Sequence, residues 1–213
     1  MIGDMLCHIV DPSFWAPDLG SPDSVVAEAE GYDPKQHSET FPRSTKIRFE
    51  FPARGKRPPV TLYWYDGGRY QPPQPEELKG EAGGRGGRFN ALVIGDKGKI
   101  VHGSHGARDW RIIPDSKMKE YMGDRKRVPE PKASGPPSNL KHHQKWIQAC
   151  KGWNTAGSNF DFGGPLTEIA MLGNIASLML GTELQWDGEH MTFPNHPNAN
   201  QYLHFRYRDG WTL

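Results

Sequence analysis

The sequence predicts an α+β fold, with helices packed on one face of an open, mostly antiparallel sheet. Alternating apolar and polar residues in the first half of the chain indicate strands, and Gly-rich turns between them indicate hairpins. Helical spacing of apolar residues marks the opening segment and the region before residue 181. The 213 residues are enough for a sizeable core, so we expect residues 1–213 to form one domain.

Alternation defines the strands. In residues 44–51, Ile47 and Phe49 fall on one side and Lys46 and Arg48 on the other, as in a strand with one buried face. The turns at 53–56 and 95–98 favour hairpins. The remaining predicted strands are residues 24–30, 60–65, 91–94, 99–101 and 110–113, followed by a hairpin of 184–186 with 191–193.

Apolar spacing predicts three helices, at residues 2–16, 139–151 and 165–180. The last is apolar on most sides and should be buried; Pro165 suits its first turn and Gly181 its end. The first should dock through four apolar residues: Ile9, Val10, Phe14 and Trp15.

Charge and composition exclude several classes of protein. The formal net charge is +1 with both signs interspersed, so we expect no nucleic-acid partner, and no apolar stretch is long enough to predict a membrane partner. Cys7 and Cys150 are far apart, and we expect two buried thiols rather than a disulfide. We expect a cytoplasmic protein, and the periplasm stays open because a true N-terminus could precede Met1.

Asp4 and His8 are the candidate catalytic residues. They are four positions apart, so a helix places them on one face, one turn from each other. A carboxylate near an imidazole can orient it and raise its basicity, which makes a general acid/base pair for a substrate hydroxyl. An ordinary surface pair is the alternative. Asp11 follows one turn later, where bonding to the backbone before Pro12 is the expected role.

Two further residues are candidates for substrate binding. Trp64 could stack on a sugar ring, with a role in the core as the alternative, and His142 could face the substrate, with a surface role as the alternative. His102 and His105 have a spacing found in metal sites, but they lack further ligands, so we predict no metal.

Seven motifs occur in order along the chain. They are Gly-Asp-x-x-x-His-x-x-Asp at 3–11, LYWYDGG at 62–68, GDKG at 95–98, PLTE at 165–168, LGNIA at 172–176, LQWD at 184–187 and YRDGW at 207–211. This ordered set resembles the C-terminal domain of the Gfo/Idh/MocA oxidoreductases of the bacterial type, and it spans essentially the whole chain.

The resemblance implies a two-part enzyme. A Rossmann domain binds NAD or NADP, and the second domain supplies an aspartate and a histidine that match Asp4 and His8 here. In the family's usual dehydrogenases the histidine exchanges a proton with a sugar or polyol hydroxyl while hydride passes between that carbon and the nicotinamide. Some relatives use the same redox step on the way to glycoside cleavage.

The chain departs from the family in one large respect. It contains no Gly-x-Gly-x-x-Gly fingerprint and no Glu-Lys-Pro motif, so we expect the nucleotide-binding domain to be absent and no cofactor to bind this chain alone. A fragment, a chain that pairs with a separate nucleotide-binding chain, and a chain that has lost catalysis all remain open.

The expected function is therefore the substrate-binding and catalytic half of a nicotinamide-dependent oxidoreductase that acts on a sugar, polyol or glycoside hydroxyl and is inactive alone. A non-catalytic assembly or carbohydrate-binding domain derived from that family is the alternative. The open sheet face should be covered, which predicts a homo-oligomer, either a dimer or a tetramer, formed through that face.

Overall fold

The computed structural model describes residues 2–78, 89–105, 107–124 and 142–211. The chain divides into two compact units, one formed by Met1–Gln74 with Leu166–Leu213 and the other by Pro75–Pro165. The assignment of residues 1–213 to a single substrate-binding and oligomerisation domain stays a prediction.

The described helices and strands confirm an α+β fold with open antiparallel sheets. Short 3-10 helices at Glu76–Leu78 and Pro197–Tyr202 accompany them. In chain order the elements are α1 (Ile2–Trp15), β1 (Ser24–Glu28), β2 (Thr45–Phe51), β3 (Val60–Asp66), β4 (Ala91–Ile94), β5 (Lys99–His102), β6 (Arg111–Ile113), α2 (Asp115–Asp124), α3 (His142–Cys150), α4 (Phe160–Leu178) and β7 (Leu184–Gln185).

The larger unit contains a four-stranded antiparallel sheet in the order β3-β2-β1-β7. Ile47 of β2 lies opposite Ala27 of β1 and Trp64 of β3, so all three side chains share the core face. Burial alternates strictly along β2, which confirms the predicted two-sided strand. The apolar side of the sheet is therefore its inner side.

The open face of this sheet carries charged pairs and two stacked tyrosines, Tyr63 and Tyr65. Lys46 Nζ lies 3.1 Å from Glu28 Oε1, and the guanidinium of Arg48 lies 2.8 Å from Glu50 and 2.9 Å from Glu183. Charged residues that pair with one another on an exposed sheet surface need no apolar cover. The prediction of a homo-oligomer through this face stays a prediction. Phe49 lies on the buried side of the sheet, whereas Tyr63 lies half-exposed on the open face.

Helix α1 docks through residues spaced four apart: Ile2, Leu6, Val10 and Phe14. The predicted docking face is wrong in part, since Trp15 is 71% exposed and Ile9 only half-buried. The reason is geometric. Each residue advances about 100° around a helix, which places Trp15 nearly opposite the buried stripe.

Helix α4 begins five residues before the predicted start at Pro165. The side chain of Asn159 accepts a hydrogen bond from the Phe162 N–H at 3.3 Å and so caps an earlier turn. Pro165 therefore lies inside the helix, where it removes one backbone donor. The helix ends at Leu178, and Gly181, with φ of +73°, donates its N–H to Ala27 in β1.

The smaller unit contains a three-stranded antiparallel sheet in the order β4-β5-β6. The hairpin of β4 with β5 is confirmed. Helix α2 was not predicted, because its sequence is mostly polar and its apolar residues are few: Met118, Tyr121 and Met122. Within the described residues α3 begins at His142, and the predicted residues 139–141 lie outside that part of the chain.

Two further expectations are corrected. The predicted hairpin near the C-terminus reduces to a single bridge between Asp187 and Thr192, because β7 pairs with β1 instead. Cys150 is exposed, so the expectation of two buried thiols is wrong for it, while Cys7 is half-buried. None of the described helices combines the length and apolar content that crossing a bilayer requires.

Glu168 ties three segments of the larger unit together. Its Oε1 accepts hydrogen bonds from the Ser21 hydroxyl and, at 2.9 Å, from the Trp186 indole N–H. Ser21 precedes β1 and Trp186 follows β7, so one carboxylate on α4 holds the ends of two paired strands. Trp186 is buried, and without Glu168 its N–H would lose its acceptor.

We expect Glu168→Ala to lower the free energy of unfolding by about 1–3 kcal/mol, because it leaves a buried donor unpaired. Urea unfolding followed by tryptophan fluorescence measures the change. Glu189 is exposed, and Glu189→Ala should stay within about 0.5 kcal/mol of wild type. Equal stability of the two variants would contradict the role given to Glu168.

Candidate functional site

Asp4 and His8 lie on the solvent side of α1. Both are exposed, and both point away from the stripe that contains Leu6 and Val10. They are separated by one helical turn, a rise of about 6 Å. No hydrogen bond joins the two side chains, and Asp4 has no hydrogen-bond or ion-pair partner among the described residues; His8 has other contacts. The docking of α1 thus fixes the direction of both groups.

A cleft of about 190 Å³ opens beside Asp4. It lies where the first turn of α1, the segment before β2, the adjoining ends of β2 and β3, and the C-terminal part of α4 meet. His8 is not among the residues around it. The lining residues are Ile2, Gly3, Asp4, Phe41, Pro42, Thr45, Asp66, Asn174 and Ser177.

Two glycines allow the elements around the cleft to approach closely. A Cβ on Gly3 would lie 2.7 Å from Nδ2 of Asn174, so any side chain on Gly3 would displace that amide. A Cβ on Gly173 would lie 2.3 Å from Cδ1 of Ile2 and 3.2 Å from Cζ of Phe49. Helix α4 therefore contacts both α1 and β2 next to Asn174.

The polar groups of the cleft differ in their partners. The Ser177 hydroxyl donates to the Gly173 carbonyl at 2.8 Å, and Asp66 has a partner. Among the described residues, the side chains of Thr45 and Asn174, like that of Asp4, have none. The cleft therefore offers a carboxylate, a hydroxyl and an amide to an incoming molecule.

Sequence reasoning missed Thr45, Asn174 and Phe41, because no motif or spacing marks them as a group. Thr45 and Phe41 are separated from Asn174 by more than 120 positions in the chain. Only the packing of α4 against α1 and β2 brings them together. Residues 172–176 carried part of the family resemblance, but without a function for Asn174.

The predicted substrate-binding residues lie elsewhere. Trp64 is 6% exposed on the core face of β3, and its buried indole N–H has no hydrogen-bond partner within the described chain. This position matches the core alternative, and Trp64 does not line the cleft. The side chain of His142 lies outside the described part of the structure. A substrate contact by either residue stays a prediction.

The histidines with metal-like spacing are arranged differently from each other. His102 is buried with its Nδ1 2.7 Å from the Gly103 carbonyl, whereas His105 is exposed with its Nδ1 2.6 Å from the Ser104 hydroxyl. Among the described residues, no three His, Cys, Asp or Glu side chains form a group that could hold a metal ion.

Cys7, the neighbour of His8, is chemically quiet. Burial raises the pKa of its thiol, and the nearby carboxylate of Asp11 raises it further. Since the thiolate is the reactive form, a raised pKa keeps Cys7 protonated near neutral pH.

A second Asp–His pair was not predicted. In the turn after β7, Asp187 Oδ2 lies 2.8 Å from His190 Nδ1, and Asp187 Oδ1 accepts the His190 backbone N–H at 3.0 Å. These hydrogen bonds lower the pKa of Asp187. The pair closes a turn of its own chain segment, which indicates a structural role.

Comparison with known proteins adds no assignment: no family model matches the chain, and no curated protein matches it. The relation to Gfo/Idh/MocA oxidoreductases thus rests on the sequence motifs alone and stays a prediction.

The Asp187 turn predicts an acid-dependent contribution to stability. A carboxyl whose pKa falls on folding stabilises the protein above its unfolded value, about 3.9, and this contribution disappears as the pH falls through the folded value. We expect Asp187→Asn to unfold at lower urea than wild type at pH 7, with the difference shrinking below about pH 4. The exposed Asp209→Asn is the control. An Asp187→Asn deficit that is equal at pH 7 and pH 3 would contradict this origin.

Proposed function

We propose that this chain is the substrate-binding and catalytic half of a nicotinamide-dependent oxidoreductase that acts on a hydroxyl of a sugar, polyol or glycoside. The observation that carries the proposal is the placement of Asp4 and His8 on the exposed side of a helix whose opposite side is fixed in the core. The order of the seven motifs supports the same function.

His8 is the proposed proton acceptor. Imidazole is the side chain most often used for general acid/base catalysis, and His8 is exposed on the solvent side of α1. Oxidation of that carbon releases the hydroxyl proton, which His8 takes up. Asp4, one turn away at the rim of the cleft, orients the substrate by accepting a hydrogen bond.

The proposal assigns the nicotinamide cofactor to a part other than the described sheets. Dinucleotides bind at the turn between a strand and a helix of a parallel βαβ unit, where the helix N-terminus meets the pyrophosphate. All the strand pairs in the described sheets are antiparallel. The proposal therefore assigns cofactor binding to a separate chain or to a segment outside this sequence.

A non-catalytic role in assembly or carbohydrate binding is the second candidate. It is favoured by the distance between the two polar groups, since His8 does not line the cleft and makes no hydrogen bond with Asp4. The two candidates differ in whether His8 matters. In the second candidate, ligand binding in the cleft does not require His8.

We expect no useful affinity of the chain alone for NAD or NADP, because it has neither the fingerprint nor the strand–turn–helix that holds a pyrophosphate. Isothermal titration with each dinucleotide measures this. A micromolar dissociation constant for either one would refute the expectation.

We expect activity once a nucleotide-binding domain from a Gfo/Idh/MocA oxidoreductase is fused to or mixed with the chain. Sugar-dependent reduction of the cofactor should fall on the order of 10²–10⁴-fold in His8→Ala, the usual effect of losing a positioned general base. Asp4→Asn should also lower it. His204→Ala removes an exposed histidine outside α1 and is the control. An active assembly in which His8→Ala equals His204→Ala would contradict the role of His8 as proton acceptor, and an assembly that stays inactive would favour the second candidate.

A further inference from the structure

We propose that α3 and the turn after it bind the surface of an anionic lipid bilayer. The residues concerned are Trp146, Ile147, Cys150 and Trp153, which we call the aromatic surface. They lie in the smaller unit and take no part in the proposed function. Binding of this kind requires apolar side chains with cations among them, and it needs no helix long enough to cross the bilayer.

Helix α3 turns its apolar residues toward solvent. Trp146, Ile147 and Cys150 fall within an arc of about 100° around the helix. Trp146 is 63% exposed, Ile147 is 45% exposed, and Cys150 is exposed as well. Lys145 and Gln148, which project from the other side, are half-buried. A helix docked on the core of a protein in water has the reverse arrangement, so the apolar side of α3 indicates a binding surface.

Backbone hydrogen bonds fix the position of Trp153 at the end of α3. The Trp153 N–H donates to the Gln148 carbonyl and the Gly152 N–H to the Ala149 carbonyl, each at 2.9 Å, and Gly152 has a φ of +72°. This is the Schellman arrangement that closes many helix C-termini. The Asn154 side chain also donates to the side-chain oxygen of Gln148. Trp153 is nevertheless 67% exposed, so a well-defined turn holds a large indole in solvent.

The charges of this segment are all positive. Residues 143–160 include Lys145 and Lys151 and contain no Asp or Glu. Neither lysine has a carboxylate partner within the described chain, and the Lys151 ammonium lies 4.6 Å from the centre of the Trp153 ring. Lysines among exposed indoles are complementary to a surface that is negative outside and apolar beneath, which is the surface of an anionic bilayer.

The type of cation favours a lipid over a protein partner. Protein interfaces are enriched in Trp and Arg but depleted in Lys. At a bilayer, tryptophan lies at the level of the headgroups, and the long stem of lysine carries its ammonium to the lipid phosphates. A second copy of this chain fits less well, because a two-fold interface repeats the same residues on both sides and would bring the lysines of the two copies together.

Cosedimentation of the full chain with lipid vesicles tests the proposal. We expect binding to vesicles of phosphatidylcholine mixed with phosphatidylglycerol, and binding about tenfold weaker to phosphatidylcholine alone. Added salt should weaken binding to the mixed vesicles, because it screens the lysines. Mixed vesicles with brominated acyl chains should quench part of the tryptophan fluorescence of the bound chain.

Variants locate the contact. Trp146→Ser and Trp153→Ser should each weaken binding to the mixed vesicles about tenfold, because each removes an exposed indole from the bilayer interface. Lys151→Gln should weaken it about fivefold, the usual effect of one cation at an anionic surface. Trp15→Ser and Lys56→Gln change exposed residues of the larger unit, are the matched controls and should bind like wild type.

The proposal is overturned if the chain does not bind the mixed vesicles, if it binds neutral vesicles equally well, or if both tryptophan variants bind like wild type. Sedimentation velocity without lipid examines the alternative occupant. Self-association that Trp146→Ser abolishes, in a chain that ignores vesicles, would assign the aromatic surface to a second copy and would also overturn the proposal. None of these results depends on the effect of His8→Ala in the reconstituted enzyme.

Discussion

The close contact of α1 with α4 fixes how the elements around the cleft are arranged. Ile2 fills the space that a side chain on Gly173 would occupy, and Phe49 of β2 approaches the same point. This contact therefore determines how α1 and α4 pack against each other and against β2. Because α1 is fixed along one side, its other side faces solvent, and the cleft forms at its first turn.

The strands of the sheet could be predicted from the sequence, because the alternation of apolar and polar residues is a local pattern. Alternation in residues 45–51 depends only on which neighbours are apolar, and the hairpin turn at 53–56 is likewise marked by its own residues. Helix boundaries were harder to predict from the sequence. The start of α4 depends on a cap by Asn159, and Pro165 is a more conspicuous signal than an asparagine in a polar loop. For α1, the docking face depended on the exact phase of the helix.

The residues of the candidate site show the same contrast between local sequence signals and contacts that depend on the fold. Asp4 and His8 were found because their spacing has meaning within one helix. Thr45 and Asn174 have no such relation, since a contact between distant segments leaves no trace in a single sequence. Both side chains line the cleft without a hydrogen-bond partner in the described chain, and only the fold reveals this. Trp64 is the opposite case. Its residue type suggested that it stacks on a sugar ring, whereas the structure buries it on the core face of the sheet.

The missing side chain of Gly3 links two distant parts of the chain in evolution. The Asn174 amide occupies the space beside Gly3, so a larger residue at position 3 would require a smaller or differently turned residue at position 174. Which residue is tolerated at position 3 therefore depends on the residue at position 174, and the reverse also holds. Lineages that descend from this chain should keep the pair together or replace both members at once, and a lineage that has changed both will also have changed the floor of its cleft.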